Sequence, residues 1–154
     1  MLFKRMKISD KKPMKEAMKK NGWREGEVQL DLLRGLVLYS LMIGKKYISF
    51  NSEQKSYIYL TKELLWVYPM QMSSENKSQA SSFREGYNMV LIFQDKMKYV
   101  VNLNTEVEKC QLLVYIAKNY PHVILDYSDA LMDAYEHDFE RLVDISRKKG
   151  TMNN

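Results

Sequence analysis

The chain has 154 residues, with 24 Lys and Arg against 19 Asp and Glu and a formal charge of +5; that length suits one domain burying about 70% of its unfolded surface. A single cysteine, Cys110, excludes an internal disulfide framework, and the uncharged runs, Gly35 to Gly44 among them, fall well short of the roughly 20 residues of a membrane helix. No apolar leader follows Met1-Leu2-Phe3-Lys4-Arg5, so a cytoplasmic location is expected.

The positive charge belongs to one segment. Up to residue 24 there are nine Lys and Arg against Asp10 and Glu16, and the remainder is slightly acidic. Residues 9–22 predict a first, basic helix, with Ser9 or Asp10 as cap, Pro13 in the first turn and Asn21-Gly22 as stop. Its apolar stripe is only Met14, Ala17 and Met18, which predicts weak docking or mobility. Trp23 and the run Val28, Leu30, Leu32, Leu33 lead onward.

A series of strands follows. Leu36–Ile43 is apolar on both faces, Gly44-Lys45-Lys46 turns the chain, and Tyr47–Phe50 returns. Asn51–Ser56 has turn chemistry before Tyr57–Leu60, where Tyr57 and Tyr59 oppose Ile58 and Leu60. Leu65–Met72 is a further strand, with Trp66, Tyr68, Met70 and Met72 on one face and Pro69 marking an edge or an interruption. Ser73–Gly86 reads as a long wet loop. Tyr87–Gln94 and Met97–Leu103 form a hairpin about Asp95-Lys96, in which Met89, Leu91 and Phe93 oppose Val90 and Ile92.

Helices close the chain. Thr105 with Glu108 three residues on is a capping box. The helix it starts is expected to bury Val107, Cys110, Leu113, Val114, Ala117 and Tyr120, so Cys110 reads as a buried thiol. Val123–Leu125 adds an extended piece. A last helix runs from a Ser128 cap to a Gly150 stop, with Leu131, Tyr135, Phe139, Leu142 and Ile145 on one face.

Two stretches carry a resemblance. Gly44-Lys45-Lys46-Tyr47-Ile48-Ser49-Phe50, then Tyr57-Ile58-Tyr59-Leu60 and Leu65-Trp66-Val67-Tyr68, resembles bacterial pleckstrin-homology-like domains of unknown function. Asn119–Ser128 resembles the piece linking their two C-terminal helices. The likeness covers roughly residues 36–145 and implies a strongly bent antiparallel sheet or partial barrel plugged by the helix after Thr105. The predicted fold class is therefore α+β, with a basic helix before the sheet and a helix at its end. The expected division is a basic segment over 1–33, one pleckstrin-homology-like domain over 34–149 and a tail over 150–154. Loops at one open end of that fold bind phosphoinositides or peptides in eukaryotic relatives. Only Lys45, Lys46 and Lys55 are basic in the corresponding region here, so no ligand residues carry over.

Catalytic constellations are not visible. His122 follows Pro121 in a link, and His137 sits between Glu136 and Asp138 on a polar helix face. One Cys and two scattered His do not provide the paired spacing of a zinc site. No Gly-rich phosphate loop is present, and neither Ser nor Cys has a base and an orienting group in sight. The expectation is a non-enzymatic protein-binding or scaffolding module without a cofactor, meeting an unidentified protein partner or self-associating as a homodimer. The candidate contact patch is Trp66, Tyr68, Met70 and Met72, since aromatics and Met dominate such surfaces. The alternative is an anionic membrane surface met by Lys11, Lys12, Lys15, Lys19 and Lys20, each adding about 1 kcal/mol near anionic lipid. Nucleic acid is disfavoured because only Phe3 and Trp23 are aromatic in the basic segment.

Overall fold

Helices α1 (Lys12–Asn21) and α2 (Glu25–Leu33) open the chain in a computed structural model that describes residues 9–70 and 87–152. Pro13 lies in the first turn of α1, and the Asp10 carboxylate accepts the Lys12 N–H at 3.0 Å. Gly22 ends the helix in the left-handed region at φ 68°, with its N–H donating to the Lys19 carbonyl. The thin stripe of α1 nevertheless docks firmly, contrary to the sequence expectation. Met14 is 1% exposed and Met18 is buried, because the surface beneath them supplies Met42, Tyr47 and Ile58. Two backbone hydrogen bonds of 2.8 Å, Asp10 N–H to Gln54 and Ser56 N–H to Asp10, pin the start of the helix. The run expected as a lead-in is itself helical, and Val28 and Leu32, four residues apart, face inward.

Among the described residues, seven antiparallel strands form two sheets that are not closed into a barrel. β1 (Leu36–Val37), β2 (Leu41–Ile43), β3 (Tyr47–Ser52) and β4 (Lys55–Leu60) lie in chain order, as do β5 (Leu64–Pro69), β6 (Asn88–Phe93) and β7 (Lys98–Asn102). Leu36–Ile43, expected as one strand, folds into a hairpin closed by Leu38 N–H on the Leu41 carbonyl at 2.9 Å. Gly35 permits it, since a Cβ there would strike the Ile43 carbonyl and the Gly44 backbone. The next turn is held from three sides. The Asp31 carboxylate accepts the N–H groups of Lys45, Lys46 and Tyr47 at 2.9–3.0 Å, Thr61 donates its hydroxyl to the Lys45 carbonyl, and the Tyr120 hydroxyl donates to Gly44. Glu53 and Gln54, both at positive φ, make the two-residue turn between β3 and β4.

The period of two decides what each sheet face meets. Leu41, Ile43, Ile48 and Phe50 of the first sheet and Met89, Leu91, Phe93, Tyr99 and Val101 of the second point into one shared core. Helix α3 (Glu106–Asn119) enters that core with Leu112 and Ile116, followed by Tyr120. Thr105 caps it, accepting the Glu108 N–H at 3.1 Å, while the Glu108 carboxylate accepts the Asn104 N–H. The outer face of the first sheet lies under α1 and α2. The outer face of the second lies under α4 (Asp129–His137) and α5 (Phe139–Met152). The long helix expected from Ser128 breaks at Asp138, which leaves helical geometry at ψ 68° and offers its carbonyl to the Arg141 N–H. Gly150 does not stop it; it sits within α5, close against His122, where a side chain would crowd. Of the stretch 123–125, expected to be extended, Ile124 bridges Trp66 and exchanges backbone hydrogen bonds of 2.8 and 2.9 Å with Val67 and Leu65 along β5, while Val123 lies in a bend with its N–H on the Tyr120 carbonyl.

Candidate functional site

The aromatic face nominated from sequence is interior. Trp66 is 0% exposed and Tyr68 is buried, both beneath α4 and α5 among Ile124, Ala134 and Leu142. The Trp66 indole N–H donates to the Asp126 carbonyl at 3.0 Å, and both rings pack against Tyr127. Burial holds the Tyr68 phenol above its ordinary pKa. Met70 is half-buried at the margin of the cluster. Met72 lies outside the described residues, as does the loop Ser73–Gly86. The contact-patch assignment to Trp66 and Tyr68 is therefore corrected: these side chains join a sheet to its covering helices.

The basic residues are placed differently. Lys12, Lys15, Lys19 and Lys20 are exposed on the outer side of α1, while Lys11 is half-buried at its start. Lys12 stands 4.0 Å from Glu16, a weak surface pair in the middle of the positive face.

A surface that sequence reading assigned to the interior is an apolar feature left open among the described residues. Val107, Cys110, Val114 and Ala117 were expected in the core of α3, yet all four are exposed, Val107 at 65% and Val114 at 66%. The helix carries two apolar stripes on opposite sides, and Leu112, Ile116 and Tyr120 take the core. The outer stripe borders a groove of about 580 Å³, whose far wall is Leu36 on β1, the outermost strand of the first sheet. Tyr115 also lines it, and Glu106 and Lys118 stand at opposite ends of the helix. Glu106, Gln111 and Lys118 are the polar members of a lining otherwise made of Leu36, Val107, Val114, Tyr115 and the exposed Cys110. Leu30, Leu33 and Tyr39, close in the chain to Leu36, are also exposed. Apolar side chains gathered at one place on a surface mark an interaction site more often than a chance exposure.

Elsewhere polar groups serve the fold. The Tyr59 hydroxyl donates to Asp95 at 2.8 Å and lies 2.5 Å from the Tyr99 hydroxyl, inside a packed set of rings that includes Phe50 and Phe93. Burial pushes the Tyr59 and Tyr99 phenols up, and because the rings fill the space between them they leave no cage for a cation. His122 lies 3.3 Å from the Thr61 carbonyl, and burial lowers its pKa. Its own carbonyl accepts the Ser146 hydroxyl at 2.6 Å, so it is part of the seating of α5. A second concavity of about 530 Å³ opens beside it, between Lys62, Gln94 and Arg147. His137 is exposed, 3.8 Å from Glu136 and 4.0 Å from Asp133. Among the described residues no three His, Cys, Asp or Glu side chains are placed to hold a metal ion, and no helix is long and apolar enough to cross a membrane.

What sequence reading missed on α3 had a signal. Residues 107, 110, 114 and 117 and residues 112, 116 and 120 are both helical stripes, and a helix apolar on two sides either lies deep inside a protein or waits for a second partner. Residues 8–135 match the family described as a domain of unknown function (DUF6709), and the chain belongs to that family. The match takes in both N-terminal helices, all seven strands and α3, and ends within α4. No curated protein and no solved structure matches the chain.

Proposed function

We propose that this member of a family without an assigned activity is a non-enzymatic protein-binding or scaffolding module, and that it takes its partner along the outer face of α3. The observation that carries this is the open stripe Val107, Cys110, Val114 and its groove to Leu36, on a molecule whose sheet faces are covered by helix pairs. Order and placement of elements favour a pleckstrin-homology-like core: four strands, three strands, then a helix inserted between the sheets. An exposed, unpaired thiol at Cys110 fits a reducing compartment and hence a cytoplasmic location. The groove suits an amphipathic segment presenting apolar residues at helical spacing.

Panning a phage-displayed peptide library on the immobilised full chain tests the reading. Amphipathic sequences should be enriched, and their capture should fall at least tenfold on Val107→Asp and on Val114→Lys, substitutions at exposed positions that leave the core intact. No enrichment, or peptides indifferent to both variants, removes the proposal.

A second reading has its own observation, the open basic face of Lys12, Lys15, Lys19 and Lys20 on a docked helix. At about 1 kcal/mol per charge near an anionic surface, it would bind acidic vesicles in low salt. Changing those four lysines to Gln should lower co-sedimentation with phosphatidylserine vesicles tenfold or more. An intact chain that stays in the supernatant ends this alternative.

A further inference from the structure

We infer that the occupant of the outer face of α3 is the α3 of a second copy of this chain, packed antiparallel about a two-fold axis. The inference rests on α3 being a protein-contact surface and adds the identity of the partner. Three features of the stripe point to a second copy.

The first is spacing. Val107, Cys110, Val114 and Ala117 are separated by three, four and three residues, the repeat by which one helix meets another along a seam. Cys110 and Ala117 are small and alternate with the two valines, so each bulky residue can face a small one and the helix axes can approach to about 8–9 Å.

The second is self-complementarity. A two-fold interface between antiparallel helices must present one pattern that matches itself when reversed. Reversal about position 112 does this: Val107 comes level with Ala117 of the second copy, and Cys110 with Val114. A seam designed for an unrelated protein has no need of this symmetry. Leu36 and Tyr115, at the borders of the groove, extend the contact on both sides.

The third is charge. The exposed stripe has Glu106 at its start and Lys118 near its end. The same reversal brings each Glu106 to the level of the other copy's Lys118, twice per dimer, and sets the helix dipoles in opposition. A parallel pairing would instead bring Glu106 to Glu106 and Lys118 to Lys118. Electrostatics therefore selects direction, while the apolar seam supplies the attraction.

Cys110 makes the geometry measurable. In this register the two Cys110 residues are offset by about 6 Å along the helices, at 1.5 Å per residue, whereas a cysteine at 114 lies level with Cys110 of the second copy. The test uses the full chain. Sedimentation velocity over a concentration series should show a species approaching twice the 18.3 kDa chain, and Val114→Lys should leave it monomeric with an unchanged circular dichroism spectrum. Under mild oxidation, Val114→Cys should form a covalent dimer on a non-reducing gel at several times the rate of the unaltered chain, and Val107→Cys should not exceed the unaltered chain. A monomer at every concentration overturns the inference, as does cross-linking of the unaltered chain at the same rate as Val114→Cys, which would signify a parallel pairing with Cys110 level with Cys110. A monomer whose α3 still captures peptides removes the second copy and leaves the protein-contact reading in place. A dimer broken by Val114→Lys with no peptide captured supports the second copy and restricts that reading to self-association.

Discussion

Two pairs of helices cover two sheets here, and they do so by different means. The N-terminal pair, α1 and α2, covers the first sheet with Met14, Met18, Val28 and Leu32, and the outer side of α1 is lysine-rich. The C-terminal pair, α4 and α5, covers the second sheet over Trp66 and Tyr68, with Leu142 and Ala134 buried and Leu131, Tyr135 and Phe139 packed alongside. Modest side chains with one tryptophan, Trp23 edge-on to Tyr47, hold the first pair where a larger aromatic cluster holds the second. The difference shows that the surface receiving a helix matters as much as the stripe the helix brings. Met14 and Met18 suffice because unbranched side chains settle among Met42, Tyr47 and Ile58, and because Asp10 bonds the backbone on either side of the turn before β4.

Substitution at the centre of each cover should separate the two. Trp66→Ala removes the largest fully buried side chain and should cost about 3–5 kcal/mol in urea denaturation, with the whole domain unfolding earlier. Met14→Ala should cost less, about 2 kcal/mol, since the site is buried but α1 can leave without dismantling either sheet. Hydrogen exchange provides the distinguishing measurement. In Met14→Ala the amides of residues 12–21 should exchange faster while those of β3 and β6 keep their protection. Equal acceleration in strands and helix would show that the N-terminal cover is as integral to the domain as the C-terminal one.

How legible these arrangements were follows from the kind of pattern each leaves. Strand alternation was readable, and correctly so: Tyr57 and Tyr59 line the shared core while Ile58 and Leu60 meet α1, and Leu91 and Phe93 point inward while Val90 and Ile92 meet the C-terminal helices. A period of two offers one choice between two faces, and apolar content on both faces is the sign that both are covered. On α3 the same reasoning selected the wrong side. Val107, Cys110 and Val114 are as apolar as Leu112 and Ile116, and only the shape of the space between the sheets decides which set enters it. The Trp66–Tyr68 face was readable as apolar but not as covered, because its cover, α4 and α5, arrives from sixty residues further along. Asp31, which closes the turn after Gly44 with three backbone hydrogen bonds, was passed over as one acid set among Leu30, Leu32 and Leu33, with nothing in the spacing to tie it to a turn fourteen residues on.

The smallest of these effects concerns the C-terminal cover and depends on pH. His122 lies where α5 meets the segment after β4. Its ring nitrogen is 3.3 Å from the Thr61 carbonyl, its own carbonyl accepts from Ser146, and Lys149 donates to the neighbouring Pro121 carbonyl at 2.9 Å. Lys62 and Arg147 border the same concavity, so the charged groups near the ring are cationic. Burial first, and then Lys149, hold the imidazole below its ordinary pKa of 6.5, against the opposing pull of carbonyls at Thr61 and Leu64. The folded chain therefore takes up a proton here less readily than the unfolded chain. The stability this confers is complete above pH 6.5, falls as the unfolded histidine becomes protonated below it, and is gone once pH drops beneath the folded value. His122→Gln, which keeps a donor for the Thr61 carbonyl but cannot titrate, should show a shallower decline of its urea midpoint across this window than the unaltered chain. The carboxylates contribute equally to both curves, so the difference isolates the imidazole. Parallel curves would mean that α5 tolerates a charged ring and that its hold on the domain lies in Leu142 and the aromatic cluster alone.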